Sequence, residues 1–206
     1  MKFYYAAGTC ALATHIALEE VGADYVAVGI DFSKNQQRSS DFLTLNPKGR
    51  VPALVTDKGV LTETPALLFY IAQTHPDADL APLGDPYQLA ALQSFNSYLC
   101  STVHVAHAHK LRGSRWADEV SSFDDMKRKV PETMLSSMML VEDGMLAGPY
   151  VMGEDYSIAD MYLFTLARWL EGDGVDVERL PGIIAHRNRM RARPAVKRAL
   201  AAQGLD

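Results

Sequence analysis

No stretch of this 206-residue sequence stays apolar for the roughly 20 residues that a helix needs to cross a bilayer, so no membrane association is expected. Cysteine is scarce. Cys10 and Cys100 are the whole complement, which excludes a disulfide framework and a zinc-finger spacing, and leaves a cytoplasmic location as the default. There is also no block of positive charge: 20 Lys and Arg against 25 Asp and Glu leave a net charge of -5, and the one Arg-rich segment, RMRARPAVKRAL near the C-terminus, reads as solvated helix faces. A nucleic-acid partner is therefore not expected. The first residues carry a short apolar run that Gly8-Thr9 interrupts, too short for the core of an export leader. Nor is a metal expected, because His104 and His107 make an HxxH pair without a third ligand in sequence.

What is present is an ordinary globular composition, 48% hydrophobic and 22% charged, enough to bury a substantial core in one large domain or two small ones. Lys2 to Tyr5 reads as a strand, Ala11 to Val21 as a helix stopped by Gly22, and Tyr25 to Ile30 as a second strand. Strand, helix and strand within about thirty residues make a parallel βαβ unit. A short helical piece, SSDFLTLN, leads into a hairpin and a further helix, giving the order βαβ-α-ββα. The Pro-, Asp- and Gly-rich text HPDADLAPLGDP then reads as a linker, and everything beyond it as helix: 87–111, 123–141 with a kink at Pro131, 157–170, 181–193 and 194–202. The expected architecture is an α/β thioredoxin-like domain over residues 1–76, a linker over 77–86, and an all-α helical bundle over 87–206.

The chemistry concentrates in two places. Residues 46–66, NPKGRVPALVTDKGVLTETPA, predict a turn, a strand entered through Val51-Pro52, a DKG turn, a second strand, and a helix with Thr64 as N-cap and Pro65 at its first position. A proline at a strand's start leaves the backbone of Val51 as a sheet edge available to an extended ligand; the helix N-terminus beyond Thr64 suits a carboxylate, and Glu63 suits an ammonium. An amino-acid zwitterion within a peptide fits those groups, and an ordinary hairpin-to-helix junction accounts for the same residues. Cys10 stands where the first strand gives way to the first helix, where the helix dipole favours the thiolate. The text Cys10-Ala11-Leu12-Ala13 has no second cysteine, which excludes an internal dithiol exchange and leaves a mixed disulfide with a small thiol open. A buried, inert thiol is the alternative.

A third motif, GEDYSIADMYLF, has the form of a capping box, with Ser157 as N-cap and Asp160 in place of the usual Glu or Gln; its role is read as folding, not catalysis.

Taken together, FYYAAGTCALATHIAL, NPKGRVPAL, TETPALLFYIA and GEDYSIADMYLF resemble the glutathione S-transferase family, bacterial beta type, over nearly the whole chain. The resemblance implies a cytoplasmic, homodimeric detoxification enzyme that joins the glutathione thiolate to a small hydrophobic electrophile, with glutathione as co-substrate and no metal. It also implies a cis Val51-Pro52 bond. By the same resemblance Cys10 touches the glutathione sulfur, Val51 pairs with its cysteinyl backbone, Glu63 and Thr64 take the γ-glutamyl group, and Lys34 approaches the glycyl end. Tyr5, Arg50 and Pro52 fall in the matched motifs, with Arg50 where Gln is common. In SYLCSTVH, His104 matches a histidine that leans over the reactive cysteine, and Ser97 stands where the family often has Asn. Two other readings stay open: a glutathione-dependent thiol reductase or lyase in which Cys10 attacks, and a non-catalytic ligand-binding protein on the same scaffold.

Overall fold

The computed structural model describes residues 1–205, which form two compact units, residues 1–89 with 190–205 and residues 90–189.

The first unit is built on a four-stranded mixed sheet of order β2-β1-β3-β4. Strand β1 (Lys2–Tyr5) pairs parallel with β2 (Val26–Gly29) and antiparallel with β3 (Ala53–Thr56), which pairs antiparallel with β4 (Gly59–Thr62). Helix α1 (Ala11–Glu20) makes the crossover between the two parallel strands, α2 (Ser40–Leu45) precedes the hairpin, and α3 (Thr64–Thr74) follows it. This is the thioredoxin-like βαβ-α-ββα order. The sheet's centre is apolar because Phe3 and Leu54, cross-strand partners, are both fully buried. Helix α1 is buried from Ala11 through Leu18, including Thr14 and His15. A helix with no wet face needs partners all round. The sheet, α3 and the chain's closing helix, α9 (Pro194–Gln203), supply them.

Helix α9 thus packs within the first unit, although it follows the whole helical half in sequence. Its buried residues, Ala195, Val196, Ala199, Leu200 and Gln203, fall on one helical face. Two ion pairs flank that face, Arg193 to Glu20 at 2.5 Å and Arg198 to Glu19 at 2.6 Å.

The second unit is helical. Helix α4 (Pro86–Tyr98) buries Leu92, Phe95 and Asn96, then passes through one wide π-type turn at Leu99–Val103 into α5 (His104–Ala108). The single helix expected over 87–111 is therefore two, joined without a break in chain direction. Helix α6 (Val120–Leu140) carries Pro131 in its interior and buries Val130, Met134, Ser137 and Met138. Helix α7 (Ile158–Ala167) is buried at every position and is the core about which this unit is arranged. Its start is the expected capping box: the Ser157 side chain accepts from the Asp160 backbone N–H and, at 3.3 Å, from Ala159 N–H, while Asp160 Oδ2 accepts from Ser157 N–H at 2.8 Å. The other oxygen of Asp160 accepts from Val151 N–H at 2.8 Å and faces His186 Nε2 at 2.9 Å, tying the preceding loop and α8 (Pro181–Ala192) to the cap. Helix α8 begins on a carboxylate: Glu142 accepts from Gly182 and Ile183 N–H at 2.6 and 2.8 Å.

Candidate functional site

The Val51-Pro52 peptide bond is cis, as expected. The strand it leads into is not a sheet edge, which corrects the sequence reading: β3 lies between β1 and β4. Val51 and Pro52 instead stand beyond the first ladder residue, at the end of the sheet, where a backbone group need not serve the ladder. The turn before them is fixed from within. Asn46, buried, donates from Nδ2 to Arg50 O at 2.7 Å and accepts from Lys48 N–H at 3.3 Å. Gly49 follows at φ +62°, a conformation that favours glycine, and a Cβ there would crowd the backbone oxygen of Gln37 at 3.0 Å.

Register brings the second half of the motif to the same end. Ala53 pairs with Thr62 as the last pair of the hairpin ladder, so Val51-Pro52 and Glu63-Thr64 flank the sheet at one end. Helix α3 starts one residue earlier than expected, at Thr64, and Glu63 is its N-cap with φ +74°. Positive φ is uncommon for a residue with a β-carbon, and it turns this junction sharply at the sheet's end. Thr64 is buried, whereas the Glu63 carboxylate is exposed and bonded to Lys48 Nζ, which also donates to Thr62 Oγ1 at 2.6 Å. Lys48 and Thr62 were not singled out in the sequence, since only hairpin register carries the lysine across to the acid.

Cys10 joins this group from the other side. Its Sγ lies 3.7 Å from Val51 O, a weak S–H donor to a carbonyl, and the residue is 8% exposed. The approach to α1 is shaped by Thr9, whose hydroxyl donates to Ala6 O at 2.7 Å and accepts from Ala11 N–H at 3.4 Å. Cys10 itself already has helical dihedrals, so its thiol sits at the positive end of a ten-residue helix.

Tyr5 turns to the same face as Phe3, stacking on it at 5.9 Å and on His15 at 5.4 Å, with its hydroxyl 3.3 Å from Ala202 O. Lys34 is exposed on a turn after β2 and pairs with Asp31 at 3.4 Å. Arg50 is exposed. In the second unit Ser97 is exposed on α4, beside the fully buried Asn96. His104 opens α5 with its Nδ1 3.3 Å from Tyr162 Oη, and its ring lies 5.2 Å from that of Trp169. His107, on the same face, stacks on Trp169 at 4.0 Å and meets the fully buried carboxylate of Asp173 at 2.6 Å, which Lys110 also holds at 3.1 Å.

A cluster behind Cys10, on the same helix, was missed. His15 is buried among Phe3, Tyr5 and Tyr25, with ring centroids between 5.2 and 5.7 Å away. Its pKa is lowered by desolvation, against the pull of Glu19 one turn on. Burial would raise the Glu19 carboxyl, yet Tyr25 and Arg198 together hold it below its ordinary value. Tyr25 is pushed up, first by burial and then by donating to Glu19 Oε1 at 2.5 Å.

Against known proteins, residues 1–73 match the family described as "Glutathione S-transferase, N-terminal domain". The chain is 33% identical over 208 residues to glutathione S-transferase GstA of Escherichia coli O157:H7, covering all of both chains. It is 27% identical to maleylacetoacetate isomerase of Mus musculus, over 91% of this chain and 85% of that one. A crystal structure of a glutathione transferase homolog from Sulfitobacter with bound glutathione superimposes with a TM-score of 0.95 at 48% identity, covering 100% of this chain and 98% of that one.

Proposed function

Because this chain belongs to the glutathione S-transferase family of enzymes, we propose that it binds glutathione at the cis-proline end of its sheet and transfers the thiolate to small hydrophobic electrophiles. The observation that carries the reading is the hairpin register, whose last pair Ala53–Thr62 brings Val51-Pro52 and Glu63-Thr64 to one end of the sheet, with the thiol of Cys10 facing Val51 O. An extended tripeptide laid along that end has its cysteinyl backbone at Val51, its γ-glutamyl ammonium at Glu63 and its γ-glutamyl carboxylate at the N–H groups that open α3. Lys34 and Arg50 supply cationic charge for the glycyl carboxylate, and Pro52 shapes the floor, while Tyr5 packs behind Cys10 against His15. The bound glutathione of the Sulfitobacter relative supports the choice of ligand.

In the reaction the thiol loses its proton, the sulfur lone pair forms a C–S bond to the electrophilic carbon, and a leaving group such as chloride departs with its electron pair. Holding both partners in place supplies much of the rate. Ser97 and His104 are proposed as contributors to turnover from the second unit. A homodimer, a cytoplasmic location and a role in detoxification belong to the same proposal.

A second reading rests on Cys10 itself. Its thiolate attacks the sulfur of a glutathionylated thiol, forming a Cys10-glutathione disulfide and releasing the other thiol; a second glutathione then releases oxidised glutathione. Chloride release from a chlorinated nitroarene, assayed beside reduction of a glutathionylated peptide, separates the two. Conjugation without reduction supports the transferase reading, reduction without conjugation replaces it, and absence of both with no retention on glutathione resin leaves a non-catalytic binding protein.

A further inference from the structure

The side-chain amide of Gln203, near the end of α9, touches two parts of the first unit, the turn at Gly8 and the ring of His15. Its Oε1 accepts from Gly8 N–H at 3.4 Å, and its Nε2 lies 3.0 Å from His15 Nδ1 in a buried setting. A backbone N–H can only donate, so the amide oxygen must face Gly8 and the NH2 must face His15. His15 Nδ1 is then an acceptor, and the ring is neutral with its proton on Nε2. Gly8 belongs to the turn that delivers Cys10, two residues on, and has φ +73° with Leu205 packed over it. The hydroxyl of Tyr5, at the end of β1, is fastened to Ala202 O on the same helix end.

We propose that Gln203 is a positioning residue for the Cys10 turn, holding Gly8 while His15 is neutral and losing that hold when His15 takes a proton. An imidazolium carries N–H on both nitrogens, so Nδ1–H would face the Gln203 NH2, two donors with no acceptor between them. Rotating the amide by half a turn satisfies the imidazolium but then sets NH2 against Gly8 N–H. One amide cannot serve both, so the proton on His15 and the tether on Gly8 exclude each other. The groups that face the imidazole decide how easily it titrates: the Glu19 carboxylate on its own helix favours the charged form, and Glu19 is shared with Tyr25 and with Arg198 of α9. Burial and the rings of Phe3, Tyr5 and Tyr25 oppose it.

The inference rests on the reading of Cys10 as the residue at the glutathione sulfur, but its test needs no glutathione. The protein used is the full chain with Cys100→Ser, so that alkylation by iodoacetamide, followed by intact mass, reports Cys10 alone. The His15 ring is titrated in parallel by NMR on histidine-labelled protein. In this parent the alkylation rate departs from a single thiol ionisation and shows a second inflection at the His15 midpoint, with the thiolate several-fold more reactive on the acid side, where the turn is released. Gln203→Glu places a carboxylate against His15 and raises its NMR midpoint, and because the two oxygens accept from the imidazolium and from Gly8 N–H at once, the inflection disappears. Gln203→Leu removes the inflection. Alkylation that follows one ionisation in the parent while His15 titrates overturns the proposal without any variant, as does an inflection that persists in Gln203→Glu. Loss of glutathione binding with these profiles intact overturns the functional reading instead.

Discussion

Cys10 Sγ stands 3.7 Å from the carbonyl oxygen of Val51, the residue whose peptide bond to Pro52 is cis. Two motifs more than forty residues apart in sequence are thereby one locus, and the thiol is the group that distinguishes covalent capture of glutathione from simple binding. Cys10→Ser should abolish any glutathione adduct detected by intact mass after incubation with oxidised glutathione, while glutathione affinity stays within a few-fold. An adduct that persists in this variant assigns the capture to Cys100 and removes Cys10 from the site.

Glu63 offers the acceptor for the γ-glutamyl ammonium in the proposed site. Glu63→Gln should weaken glutathione binding about tenfold, roughly 1.4 kcal/mol, with little change in melting temperature, because its pair with Lys48 is exposed and such pairs contribute under about 1 kcal/mol. Isothermal titration with glutathione and with an analogue lacking the amino group checks the assignment. The parent should discriminate between them and the variant should not; equal discrimination in both places the ammonium elsewhere.

Asp160 is fully buried and serves Ser157, Val151 and His186 at once. Asp160→Ala strands two backbone donors and a ring nitrogen in the core of the second unit, and should cost about 3–5 kcal/mol by urea unfolding. Ser157→Ala, which removes only the hydroxyl, should cost about 1 kcal/mol. A loss in Asp160→Ala no larger than that in Ser157→Ala would show the carboxylate to be a local cap and nothing more.

Desolvation lowers the His15 pKa in the folded chain, so the native state binds this proton less readily than the unfolded state does. The stabilising contribution is complete above the unfolded value of about 6.5 and is lost as the pH falls below it toward the lowered folded value. Melting temperature should therefore drop below pH 6.5 more steeply in the parent than in His15→Gln, the excess slope being no more than about 1.4 kcal/mol per pH unit. Parallel slopes in the two proteins mean that the ring is not buried neutral.

Much of this was legible in the sequence where the signal is local. The proline at 52, the Ser157-to-Asp160 spacing and the strand-helix-strand order each lie within a short window, and each fixed a feature that the structure contains. What escaped reading depends on pairing at a distance. Placing β3 inside the sheet requires knowing that β1 lies beside it. The Lys48–Glu63 contact needs the hairpin register, and the left-handed backbone of Glu63 has no glycine to mark it. Gln203 and His15 are separated by 188 positions, and a lone glutamine near a chain end has no pattern that announces a partner.

The return of α9 to the first unit also bears on how the molecule is made. A ribosome delivers residues 1–89 early, but the helix that covers α1 emerges only after residues 90–189 have been synthesised. Until then the side of α1 that carries His15 and Glu19 lacks its final cover. The nascent sheet half must wait, chaperoned or transiently sticky, for the last turns of the polypeptide to close over it.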